Sequence, residues 1–307
     1  MTKNASNLER ILEAGYFGVC SEMGPPMSAD WDVIWKKAEK LSGYVDAVNI
    51  TDNQTAVVRM SSIAAAVIAK RAGLEPVIQV TCRDRNRIAI QSDILGASGL
   101  GIKNVLCLTG DHQTFGSEPG SKNVFDMDSV QLIQCVTGMV NGKFPGGKEI
   151  KVPPALFVGG AYNPFADLQE MQMVKLLKKV EAGVKFIQTQ AVYNVEAFEE
   201  WMKKVRELGL HKKVHILAGI LPTKSPKALR MMQKEVAGMD VPEEIVERME
   251  MCADPSKEGV KMAVELIERV KRIEGVKGIH LMPVGWEQIT PEVVREAGLY
   301  PRPEVDI

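Results

Sequence analysis

Apolar residues along this chain fall into two kinds of run. Short continuous blocks bounded by polar clusters read as strands buried on both faces, and longer stretches with apolar positions three and four apart read as amphipathic helices. A short helix, Leu8–Ala14, stops at Gly15, and the first strand block, Phe17–Glu22, is closed by Met23-Gly-Pro-Pro26. A helix over Asp30–Leu41 follows, with Ser28 as its expected N-cap and Trp31, Ile34, Trp35 and Ala38 at helical spacing. Further strands read at Ala47–Thr51, Pro76–Cys82, Val105–Leu108, Ala155–Gly159, Lys185–Gln190, Lys213–Gly219 and Lys277–Met282. Helices over Ser61–Arg71, Asn86–Ala97, Asp128–Asn141, Asp167–Ala182 and Val195–Leu208 separate them. The segments Pro226–Glu235, Pro242–Met251 and Lys257–Ile273 precede the last strand, and a short helix, Pro291–Ala297, follows it.

Eight strand–helix alternations, with no linker, low-complexity segment or shift in composition, predict an α/β protein of the (β/α)8 TIM-barrel type. The expected domain is a single barrel over residues 1–307 with a short N-terminal helix. A doubly wound sheet fits eight units less well, and no G-x-G-x-x-G follows the first strand.

Composition narrows the class. With 307 residues and 45% hydrophobic content the chain can bury a large core. Its 38 basic and 39 acidic residues leave a formal charge of −1, so no global field draws it to nucleic acid or an anionic membrane. Lys175, Lys178 and Lys179 read as one solvated helix face. Five scattered cysteines without a C-x-x-C pair argue against a zinc or iron–sulfur site and fit a reducing cytosol. The polar N-terminus lacks a signal-peptide core, and no segment approaches a membrane span, so the expectation is a soluble cytoplasmic protein.

In a barrel, the residues just past each strand line one mouth. Here they are Glu22, Thr51 to Asn53, Gln79 to Cys82, Thr109 to Asp111, Gly159 to Asn163, Gln188, Gln190, Gly219 to Pro222 and Met282. Two isolated carboxylates, Glu22 and Asp111, stand among amides, hydroxyls and glycines. The set contains no Ser–His–Asp or Cys–His arrangement and no metal-ligand cluster. Amide-rich walls suit a planar heteroaromatic ligand whose edge alternates donors and acceptors, although a sugar site could be drawn from the same residues. The long loop His112–Asp126 is of a length that usually serves function.

The series F-G-V-C-S-E-M-G-P-P (17–26), V-N-I-T-D (48–52), Q-V-T-C (79–82), L-T-G-D (108–111), K-K-V-E-A-G-V-K-F-I-Q-T-Q (178–190) and A-G-I-L-P (218–222) resembles the methylenetetrahydrofolate reductase family over nearly the whole chain. That resemblance implies a flavin-containing barrel that reduces 5,10-methylenetetrahydrofolate to 5-methyltetrahydrofolate. It implies Glu22 as the general acid that protonates N10 of the folate and opens its five-membered ring. Asp111 matches the aspartate between flavin and folate, and Gln190 the glutamine on the pterin edge. Thr51, Asp52, Gln79, Thr109, Gly110, Asp111, Asn163, Gln172 and Lys179 match flavin-binding positions, with Lys179 near the flavin phosphate.

The chain also departs from the family pattern. The usual Arg-Gly-Asp is Thr109-Gly110-Asp111, a tyrosine is replaced by Asp52, a histidine by Gln79 and an aromatic by Gly159. A phenylalanine is missing near Pro226, and Trp286 stands where the family has an arginine. These changes fall on contacts to the adenine end and to the nicotinamide. They leave FAD or FMN open, with FMN favoured. NAD(P)H is one expected electron donor; the other is a partner subunit with an iron–sulfur or zinc centre, in an oligomeric assembly. Two other readings share the residues: a pterin-binding methyltransferase barrel without flavin, and a non-catalytic flavin-binding subunit of a redox complex.

Overall fold

The computed structural model describes residues 5–236 and 238–305; the start of the polar N-terminus and both ends of the expected 1–307 domain lie outside them. Eight parallel strands close into a barrel in sequence order. They are β1 (Gly18–Met23), β2 (Ala47–Ile50), β3 (Pro76–Thr81), β4 (Asn104–Leu108), β5 (Phe157–Tyr162), β6 (Phe186–Ala191), β7 (His215–Ile220) and β8 (Val276–Leu281). After α1 (Asn7–Glu13), the outer ring runs α2 (Asp32–Leu41), α3 (Ser62–Arg71), α4 (Arg87–Gly99), α5 (Ser129–Val140), α6 (Gln169–Glu181) and α7 (Val195–Glu207). It ends with α8 (Pro226–Glu235), α9 (Glu243–Met251), α10 (Pro255–Val270) and α11 (Thr290–Glu296).

The two-residue period of the strands sorts the core into two parts. Outward-facing Val19, Val48, Ile78, Val105, Ile187, Ile216 and Ile279 pack beneath the helices. Inward-facing Cys20, Ala47, Val77, Leu106, Phe157, Phe186 and Leu217 form a separate interior cluster, closed from below by Leu8 and Leu12 of α1. Ser6 caps α1 in a capping box with Glu9. The Glu75 carboxylate then accepts Asn7 N at 2.6 Å and Leu8 N at 3.0 Å, which fixes the plug to the start of β3. One interior step higher the chemistry changes. Glu22, Asn49, Gln79, Gln188 and His280 replace the apolar residues, so the barrel is dry at its base and polar at its mouth.

Two expectations needed correction. The second helix begins at Asp32 rather than Asp30, and Ser28 does not cap it: Ser28 Oγ accepts Asp30 N at 3.3 Å, and Asp30 Oδ1 accepts Asp32 N at 3.1 Å, building a polar turn ahead of the helix. Trp31, counted among the residues at helical spacing, stands ahead of the helix and is 56% exposed. The fifth strand runs two to three residues later than Ala155–Gly159, through Gly159-Gly160-Ala161. A Cβ on Gly159 would lie 2.2 Å from the Phe186 ring, so the neighbouring strand supplies the side chain that this glycine lacks.

Candidate active site

A cavity of about 370 Å³ opens at the carboxyl ends of the strands, within the range of small-molecule and cofactor sites. Its apolar lining comes from Leu106, Leu108, Ala161 and Met282, and its polar lining includes Glu22, Asn53, Gln54, Gln79, Thr109, Gly110, Asp111, Gln188, Gln190 and His280. Beneath them, Asn49 Nδ2 donates to Gln188 Oε1 at 2.6 Å and Gln188 Nε2 returns a bond to Asn49 Oδ1 at 3.0 Å. This closed pair satisfies two buried amides at the inner end of the cavity, where Gln188 and Leu106 both line it.

Glu22 projects from the end of β1 with its side chain 13% exposed. Gln79 Nε2 donates to Glu22 Oε2 at 3.1 Å, and His280 Nε2 lies 3.6 Å from the same oxygen. Among the described residues no donor is bonded to Oε1. Across β2 and β3, the Asp52 carboxylate is committed to the frame: its Oδ2 accepts Thr81 N at 2.9 Å and Thr81 Oγ1 at 3.0 Å and is paired with Arg85.

The β4 end is built around Gly110. Its φ of +92° belongs to glycine, and a Cβ there would sit 3.0 Å from Thr81 Cβ and 3.1 Å from Arg83 Cβ. Arg83, with a side chain only 2% exposed, donates to Asp111 O at 3.2 Å and to Asn53 O at 3.1 Å, and its fork is held by Asp84. It ties the ends of β2, β3 and β4 together, and Asp84 holds its pKa above the usual guanidinium value. The exposed Asp111 carboxylate accepts Thr55 N at 3.2 Å. Asn53, Thr55 and Ala56 all have positive φ, an accumulation of backbone strain found where function over-determines a loop. The expected functional loop after β4 lies against this turn: Ser117 N donates to Ala56 O at 3.3 Å, and a Cβ on Gly116 would meet that oxygen at 1.9 Å.

Of the sequence-derived site residues, Glu22, Asp52, Gln79, Thr109, Gly110, Asp111, Asn163 and Gln190 meet in this one cavity. Gln190 Oε1 accepts Ala191 N at 3.0 Å, and its amide N–H groups have no partner among the described residues. Both ends of the Asn163 amide are used, by Phe165 N and Gly238 O at 3.0 Å each. Thr51 lies behind the wall with its hydroxyl buried and unpartnered. Gly219 to Pro222 and Gln172 are not part of the wall.

Lys179 is the clearest departure. It is 9% exposed rather than on a solvated face, and its Nζ donates to Ala161 O at 2.5 Å behind β5. Burial pulls its pKa down from 10.5 to about 8. Sequence reasoning missed Arg83, His280 and Gln54. The alternation Glu22/Cys20 on β1 repeats as His280/Gly278 on β8, and that period could have pointed to His280.

Among the described residues, no His, Cys, Asp and Glu side chains group as a metal site, and no helix is long and apolar enough to cross a membrane. The cysteines are unpaired. Burial pushes the Cys82 thiol to about 12 and Cys135 to about 11, far from thiolate reactivity.

The 5,10-methylenetetrahydrofolate reductase of Pectobacterium carotovorum is 24% identical over 295 residues, covering 94% of this chain and 92% of that protein. Methylenetetrahydrofolate reductase 2 of Schizosaccharomyces pombe is 26% identical over 239 residues, and there the chain spans only 35% of the relative's length. Among solved structures, a Clostridium thermocellum protein described as binding two copies of 5-methyl-5,6,7,8-tetrahydrofolic acid superposes with a TM-score of 0.65 at 16% identity, covering 94% of this chain and 97% of that one. At that identity the likeness speaks for the fold. The methylenetetrahydrofolate reductase family model matches residues 7–298. With that match over nearly its whole described length, the chain belongs to the methylenetetrahydrofolate reductase family.

Proposed function

We propose that this chain is the catalytic barrel of a flavin-dependent reduction of 5,10-methylenetetrahydrofolate to 5-methyltetrahydrofolate. The observation that carries the reading is one cavity in which Glu22, oriented by Gln79, shares the walls with Gly110, Asp111 and Gln190.

A lining that mixes apolar side chains with amides fits a flat ring system with a polar edge. Gly110, which has no room for a side chain toward Thr81 and Arg83, presents bare backbone there. The Gln54, Gln79 and Thr109 side chains and the Gly110 backbone would hold a flavin ring, with the unpartnered Thr51 hydroxyl behind them. When bound, a flavin supplies the hydride. The chain's own residues do the rest. The Oε1 oxygen of Glu22 delivers a proton to N10 of the folate, so the C–N10 bond breaks with its electron pair going to nitrogen. The cation that develops at N5 is met by the Asp111 carboxylate, already placed by its bond from Thr55 N. The Gln190 amide N–H groups hold the pterin edge.

FMN rather than FAD, and electron delivery by a partner subunit in place of NAD(P)H, remain part of this proposal. Lys179, turned inward onto Ala161, offers no phosphate contact in this arrangement. Glu22→Gln is expected to keep flavin and folate bound while lowering folate reduction by about 10²- to 10⁴-fold, the usual range for a general acid. Retained turnover would refute the assignment. The methyltransferase alternative predicts a colourless protein.

A further inference from the structure

A side pocket of about 210 Å³ adjoins the catalytic cavity, and Glu22 and Gln54 line both. Its other walls come from the loops that follow β1, β2 and β8. Two cations reach it, and they are not alike. Lys37 of α2 is paired with Glu287 and donates to Gly24 O at 3.2 Å, so its charge is committed to tying α2 to the β8 loop. Arg59 donates from Nη1 to Pro25 O at 3.0 Å, and its Nε is buried with no partner. Among the described residues no carboxylate is paired with its guanidinium. The backbone beneath it is fixed, since Arg59 N donates to Asn53 Oδ1 at 3.0 Å. A half-buried guanidinium with spare donors beside a catalytic cavity is a site for an anion, and its planar fork suits a carboxylate.

We propose that Arg59 recognises the glutamate tail of the folate substrate and that the side pocket receives the benzoyl-glutamate end of that molecule. The inference rests on the reading of Glu22 as the acid at N10. In methylene-folate N10 joins the ring system to the benzoyl group, and the glutamate beyond it carries two carboxylates. The pterin lies against Asp111 and Gln190, at the ends of β4 and β6, whereas N10 lies at Glu22, across the barrel on β1. The rest of the molecule must then leave on the far side of Glu22. The side pocket lies there, because β1 stands between β8 and β2 in the barrel. The benzoyl ring meets Pro283 and Val284, and one tail carboxylate meets Arg59.

The two carboxyl groups that line the pocket do not compete for the guanidinium. Glu287 is held by Lys37, and Glu22 is uncharged when it enters the reaction as an acid. Arg59 is the charge that the geometry leaves to the tail.

The test measures binding of 5-methyltetrahydrofolate and of its diamide, which has the same tail without charge, to the flavin-loaded protein in wild type, Arg59→Gln and Arg59→Lys. Wild type is expected to bind the acid about 10- to 50-fold more tightly than the diamide, the usual effect of one charge-assisted contact. Arg59→Gln should lose that preference, with the acid weakened to the level of the diamide and the diamide unchanged within about threefold. In turnover the same variant should raise the KM for methylene-folate by a similar factor while kcat stays within about threefold. Arg59→Lys keeps the charge without the fork and should recover part of the preference. Should Arg59→Gln fail to fold, equal binding of acid and diamide by wild type still overturns the proposal. A folded Arg59→Gln that weakens both ligands alike overturns it as well. So does one that keeps the preference for the acid but slows flavin reduction by NADPH, which would give the cation to the phosphates of an electron donor. A wild type that binds neither ligand overturns the functional reading and this inference with it, whereas the other outcomes overturn only this one.

Discussion

Lys179→Met isolates the energetic cost of the buried amine. An amine whose pKa is held near 8 rather than 10.5 carries a penalty of about 3 kcal/mol in its charged form, because burial strips its water and the Ala161 carbonyl is its one hydrogen-bond partner among the described residues. The unfolded chain keeps the proton up to about pH 10.5, whereas the folded chain releases it near 8. Between those values the unfolded state binds more protons, so stability rises with pH through that window and the penalty is fully present below it. Methionine has similar reach without the charge, but it leaves Ala161 O unpaired at a cost of about 1 kcal/mol. The variant should therefore be more stable than wild type by about 2 kcal/mol at pH 7, and less stable by about 1 kcal/mol above about pH 10.5, where the amine is neutral in the folded and the unfolded chain alike. Urea unfolding of both flavin-free proteins at matched pH values measures the difference directly and cancels the other titrations. An offset that does not change with pH would refute a buried amine. Loss of flavin binding in the same variant would show that the side chain reaches the cofactor, as the family resemblance implied.

Other perturbations test the frame. Arg302 donates to Phe17 O and to the buried Asp46 carboxylate, both at 2.7 Å, pinning the C-terminal segment under β1. Arg302→Ala leaves that carboxylate without its cation and should cost about 3–5 kcal/mol in denaturant unfolding, with Asp46→Ala in the same chain recovering part of it. Gly159→Ala forces a methyl into the Phe186 ring and should cost about 1–3 kcal/mol, relieved when Phe186→Leu is added; equal losses in the single and double variants would argue against that contact. Gly110→Ala combines an unfavourable φ with contact against Thr81 and should reduce flavin retention more than it lowers melting temperature; unchanged retention would remove the backbone from the flavin site.

The barrel was legible because its strands are continuous apolar blocks of the right number and order. The boundaries that failed have local causes. Gly159-Gly160 looked like a strand end, since nothing in the sequence reveals that Phe186 fills the space beside it. Ser28 looked like a helix cap, since a serine that starts a polar turn carries the same signature. The strand-end residues expected at the mouth do line one cavity, because topology alone brings them there. Lys179 was misjudged because a lysine inside an amphipathic helix gives no sign of which way its stem runs. Arg83 and His280 were missed for another reason: their roles depend on partners from other strands, Asp111 and Asn53 for the one and Glu22 for the other.

The central claim is that one cavity both holds a reducible flavin and presents the folate to Glu22. The most direct measurement is anaerobic: purify the chain, reduce its chromophore, add 5,10-methylenetetrahydrofolate, and follow flavin absorbance and folate products together. The account predicts that flavin is reoxidised with formation of an equal amount of 5-methyltetrahydrofolate, and that Glu22→Gln stays reduced. A colourless protein, or a reduced flavin that persists in wild type with excess substrate, would contradict it.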